Sequence, residues 1–84
     1  METVLDTKPA QAVIKQLWEE VTTWNVEKIN VLQELLEGRR EYEHFQERWV
    51  YCDKMIDARI NEINLIMATM LVALLAHAAG HAFR

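Results

Sequence analysis

The chain has no serine, one cysteine (Cys52), one proline (Pro9) and two glycines, Gly38 and Gly80. Each shortage closes a class of explanation. A lone cysteine can neither form an internal disulfide nor supply the paired thiolates of a structural zinc site. Without serine there is no serine nucleophile, and without a glycine-rich loop there is no phosphate cradle. Clustered Gly, Asn and Pro turn signals are missing, so nothing predicts a β-hairpin. Bases are also scarce: nine Lys and Arg face thirteen Asp and Glu, for a net charge of −4. That balance argues against nucleic acid as a partner, because phosphate binding requires a basic surface. The opening METVLDTKPA is acidic and polar, so neither a secretory leader nor a basic transit peptide is expected there. No catalytic constellation is present, and the chain is expected not to be an enzyme.

What is present is a helical pattern. Eighty-four residues make at most one small domain, which buries a modest share of its surface and usually depends on a partner, a membrane or a staple. After a tail over 1–7, Asp6 or Thr7 can cap a helix that carries Pro9 in its first turn. Ala10, Val13, Ile14, Leu17, Trp18 and Val21 recur at helical spacing, and Val26, Ile29, Leu32, Leu35 and Leu36 resume it. A first helix over 8–37 follows, with a kink at Thr22-Thr23-Trp24-Asn25 left open. Gly38 suits the left-handed residue that closes a helix, which puts the turn at 38–40.

A second helix is expected over 41–83. Tyr42, Phe45, Trp49, Cys52, Ile56, Arg59, Ile63, Ile66, Met70, Ala73 and His77 alternate by three and four, a heptad-like seam of the coiled-coil kind. Glu43, Glu47, Lys54, Asp57 and Glu62 occupy the opposite, water-facing side. The fold class is therefore all-α: an antiparallel helical hairpin whose long second helix extends beyond the first. With the turn near Gly38, facing residues should have numbers summing to about 77, and the arms should be about 42 and 66 Å long. Arg59 should then lie near Trp18, Glu19 and Glu20, either in an ion pair to one of the acids with its guanidinium over the indole, or at the seam edge with its head in water. The surplus, from about Met67 onward, has no arm of its own chain to cover it.

That surplus falls in INLIMATMLVALLAHAAGHAF, residues 63–83, which contain no Asp, Glu, Lys or Arg. A helix apolar on every side must be sheathed by lipid or by protein, and this run just meets the length of one bilayer span. Asn64, Thr69, His77 and His81 weigh against lipid. The expected function is a non-enzymatic structural or accessory subunit, fastened to a membrane or a larger assembly by this segment. Its interaction residues would be Leu65, Ile66, Met70, Leu71, Ala73, Leu74, Ala76 and Gly80, with Trp18, Trp24 and Trp49 organising the hairpin and its contacts. Ala76 and Gly80 stand four apart, the spacing that lets helix backbones approach closely in lipid. Partners would be proteins, identical or different, with a membrane reached through 63–83. A single C-terminal span is the favoured location, and the cytoplasm or a large assembly the alternative.

Two other readings use the same residues. The surplus could pack between copies as a soluble homo-oligomeric bundle, or cradle a client helix as a small chaperone or adaptor. Alternatively, His77 and His81, one helical turn apart, could hold a metal or tetrapyrrole. Glu41 and His44 form a Glu-x-x-His pair of the kind found in di-iron bundles, with Glu34 or Glu37 near enough to add a carboxylate. The plainer expectation for these four residues is a solvated patch beside the turn and imidazoles at a helix end, with no cofactor. Cys52 is expected to be a buried, inert thiol. In outline, the helix, the glycine turn LLEGRREYEHFQ and the long second helix are similar to small helical-hairpin chaperones of bacterial secretion systems, to accessory subunits of membrane complexes and to phage structural proteins. No motif spans the chain, so the likeness assigns no residue roles.

Overall fold

The computed structural model describes residues 6–82, with side chains through Gly80. The tail at 1–5, the side chain of His81, and Phe83 lie outside the described residues. Two helices form an antiparallel hairpin: α1 spans Lys8–Leu36 and α2 spans Tyr42–Ala82. The molecule is a rod measuring 67 × 16 × 12 Å.

α1 begins where its first free amides find an acceptor. The Asp6 carboxylate accepts from the Lys8 N–H at 3.0 Å, while Thr7 holds the cap position without a side-chain cap bond. Pro9 lies in the first turn, where no amide donor is required. The helix runs unbroken through 22–25. Thr22 and Thr23 turn their hydroxyls back onto the carbonyls of Trp18 and Glu19, each at 3.0 Å, so the polar pair is satisfied inside the helix without bending it out of register.

The end of α1 is a Schellman closure. Gly38 takes φ +72°, its N–H donates to the Leu35 carbonyl at 3.0 Å, and the Arg39 N–H donates to the Glu34 carbonyl at 2.8 Å. Replacing Gly38 with alanine should cost about 1 kcal/mol in urea unfolding, from left-handed backbone strain alone, because a Cβ there meets nothing within 4 Å. Asparagine should cost less, since it tolerates this conformation better.

The core is a narrow seam. Leu17, Val21 and Ile63 form its buried centre, flanked by half-buried Ile14, Ile56, Ile60 and Ile66. Val31 and Cys52 are buried nearer the turn. On α2 the heptad seam faces α1 as its spacing predicts, from Phe45 through Met70, while Tyr42, Ala73 and His77 at its ends are exposed. On α1 the facing stripe is Leu17, Val21, Trp24, Lys28, Val31 and Leu35. Beyond Val21 this differs from the expected continuation, because Val26, Ile29, Leu32 and Leu36 stay exposed. α2 supplies aromatic and acidic groups at that level, and these draw in Trp24 and Lys28. Trp24 meets Tyr51 edge-on with ring centroids 5.5 Å apart. The Lys28 ammonium sits 4.1 Å above the Trp49 ring and pairs with Asp53.

Burial pushes the Cys52 thiol up, with neighbouring Arg48 only partly opposing the shift. A thiol that holds its proton more tightly when folded contributes stability below the ordinary thiol range and loses it as pH rises through the folded value. Alkylation of native protein at pH 8 should therefore be slower than that of urea-unfolded protein by on the order of 100-fold. Equal rates would show the thiol to be open to solvent.

Candidate interaction surface

The two flanks of the hairpin differ in chemistry. On one, α1 presents Glu20, Glu27 and Glu34 at heptad intervals; the first two meet arginines of α2, and the third meets Arg40 of the turn. Arg59 Nε lies 2.9 Å from Glu20, Arg48 Nε 3.2 Å from Glu27, and Arg40 Nη2 2.7 Å from Glu34. Arg59 Nε is close to Glu20 but not aimed at it, whereas its Nη1–H donates to Glu62 Oε1 at 2.7 Å. Arg48 lies over both Trp24 and Tyr51, 5.5 and 5.3 Å from their centroids. The expected Arg59 ion pair is present, but its stacking on Trp18 is not, since Trp18 turns outward and remains 48 % exposed. Such partly exposed pairs each contribute about 0–1 kcal/mol. Their larger effect is to make this flank polar and internally satisfied.

The other flank carries Lys28 and Asp53, already paired with each other. On α1 it continues through Trp18, Thr22, Asn25, Ile29, Leu32 and Leu36, none of them charged and all exposed.

At the far end, α2 outruns α1. Asp6, Thr7 and Ala10 reach a groove lined by Leu65, Ile66, Thr69, Met70 and Ala73. Cover from α1 thus extends about a turn farther than the expected limit near Met67, because the first turn of α1 and its cap, Asp6 and Thr7, continue past Ala10. Ile66 and Met70 are half-buried here and belong to the hairpin. From Leu71 to Gly80 every residue is exposed, including Leu71, Leu74, Ala76 and Gly80. Leu65, though beside the groove, is 68 % exposed. α2 is long and apolar enough to cross a membrane, and almost none of that stretch is buried in the hairpin. Thr69, one of the polar residues weighing against lipid, donates its hydroxyl to the Leu65 carbonyl at 2.8 Å, which removes most of its demand for water.

Of the histidine candidates, the His77/His81 pair is not described in full, because the side chain of His81 lies outside the described residues, and the Glu41/His44 pair gains no third ligand among them. Glu41 and His44 are both exposed at the start of α2. Glu34 and Glu37, the carboxylates expected to join them across the turn, are taken up by Arg40 and Arg39. Among the described residues no three His, Cys, Asp or Glu side chains come together as a metal site.

The chain matches no known protein-family model, no curated protein and no solved structure.

Proposed function

We propose that this chain is a non-enzymatic structural or accessory subunit, a helical hairpin fastened to a bilayer by the C-terminal part of α2. One observation carries the reading: a charge-free helical stretch, exposed on all sides from Leu71 to Gly80, projects past the end of α1. Leaving such a surface in water forgoes about 25 cal/mol for each Å² of apolar area, and lipid sheathes it without requiring a matching protein surface. The hairpin then stands in water at the membrane face with its charged flank solvated. Leu65, beside the groove, lies where span and hairpin meet.

The test is extraction. Full-length protein should stay with membranes through a carbonate wash, and a chain truncated after Ala73 should move to the supernatant while remaining helical by circular dichroism. Full-length protein recovered in plain buffer as a defined oligomer would place the projecting segment in a protein assembly and defeat the bilayer reading.

A further inference from the structure

α1 carries two adjacent heptad stripes, offset by a single residue. Leu17, Val21, Trp24, Lys28, Val31 and Leu35 face α2. Trp18, Thr22, Asn25, Ile29, Leu32 and Leu36 repeat the same four-three spacing one position later, about 100° farther round the helix. A helix with two such stripes belongs in a bundle of more than two helices, because each stripe is a surface for a separate neighbour. The hairpin supplies only one neighbour.

We infer that a second copy of this chain packs on the Trp18–Leu36 stripe, in parallel, to form a four-helix bundle. Three observations select that occupant. The first is area. Trp18, Ile29, Leu32, Leu36 and Tyr42 remain 48, 63, 37, 77 and 64 % exposed. Tyr42 lies one heptad before Trp49, the ring that Lys28 covers, and so shares this side. Together these side chains offer about 600 Å² per copy, so two copies bury up to about 1,200 Å², the lower edge of the range for a stable interface. The second is charge. The stripe has no ionised residue to select a partner of opposite sign, and Lys28 and Asp53 beside it neutralise each other. A surface of this kind is compatible with itself despite the chain's net charge of −4.

The third is Asn25, the polar residue at the middle of the stripe. In a parallel pair it meets its own counterpart, and two carboxamides satisfy each other as donor and acceptor. In an antiparallel pair centred on the stripe it would meet Ile29 and lose its partner. One polar residue in an apolar seam is a recognised means of fixing register and orientation. Thr22 makes no such demand, since its hydroxyl is spent on the Trp18 carbonyl at 3.0 Å. Met67 and Leu74, two and three heptads past Asp53, extend the same side of α2 toward the projecting end, so a parallel pair points both ends the same way. The inference rests on the hairpin face and does not depend on what surrounds 63–83.

The full-length chain in mild detergent micelles provides the test. Leu32→Cys should give a covalent dimer on copper–phenanthroline oxidation. Asn30→Cys, exposed away from the stripe, and wild type, whose cysteine is buried, should not. Ile29→Glu should halve the protein mass measured by sedimentation while leaving helicity unchanged, because Ile29 makes no contribution to the hairpin core. An antiparallel pair would hold the two Leu32 positions about 15 Å apart along the axis, so a failure of Leu32→Cys to cross-link overturns the parallel arrangement. A monomeric wild type, or an Ile29→Glu mass equal to wild type, overturns self-association and leaves the stripe to a different protein.

Discussion

Ile63→Ala should remove about 2–4 kcal/mol of stability, the largest loss from any single truncation in the hairpin. Ile63 is 1 % exposed and packs with Leu17 and Val21 inside a shell of isoleucines. A hairpin with so few buried residues has no second core to absorb the cavity. Domains of this size are stable by about 4–12 kcal/mol in total, so the change consumes at least about a sixth of the margin. Leu65→Ala is the matched control: the same helix, two residues on, but 68 % exposed. It should shift stability by no more than about 0.5 kcal/mol. Urea unfolding followed by circular dichroism separates the two. Equal effects would mean that the seam does not hold the helices together.

The second large effect concerns the projecting end. Leu71→Arg combined with Leu74→Arg puts two charges near the middle of 63–83. Each should cost about 2.5–3.5 kcal/mol at the centre of a span. Allowing for side chains that reach toward the interface, membrane integration should fall by at least about 100-fold. Helicity should be unchanged, since Leu71 and Leu74 are exposed and neither packs on the core. Val26→Arg, on a comparably exposed residue of α1, should leave the membrane fraction as it is. Carbonate-resistant protein measured on blots reports the membrane fractions, and circular dichroism the helicity. Retention of the double variant in the membrane would show that 63–83 is not what holds the chain there.

Much of this was readable in the sequence. The α2 seam follows from three-and-four spacing between Phe45 and Met70, because one dominant period allows only one buried side. Gly38 marked the turn, because few residues other than glycine close a helix with positive φ. The place of Arg59 beside Glu20 followed from antiparallel pairing, and the structure decided for the ion pair over a solvated head group. The stripe of α1 that faces inward was less readable, and for a definite reason. Two apolar heptad registers overlap on this helix, and periodicity sums over both without saying which one meets α2. Val31, 1 % exposed, went unnoticed because Ile29 and Leu32 outweigh it in size. The signal that could have found the outer stripe was the paired spacing itself, Leu17–Val21 beside Trp18–Thr22 and Val31–Leu35 beside Leu32–Leu36.

By itself the sequence determined that the chain is helical, that it folds back once at Gly38, and that its run over 63–83, a quarter of its length, is apolar on all sides. Those properties depend on backbone propensity and on charge placement along a single strand of chain. Only the tertiary structure decided which stripe of α1 is consumed by α2, where cover by α1 ends, and that Glu20 and Glu27 each face an arginine of α2. These depend on rotation and axial offset between the helices. Packing of Trp24 on Tyr51 and of Lys28 on Trp49 and Asp53 sets both quantities, through contacts between residues far apart in sequence.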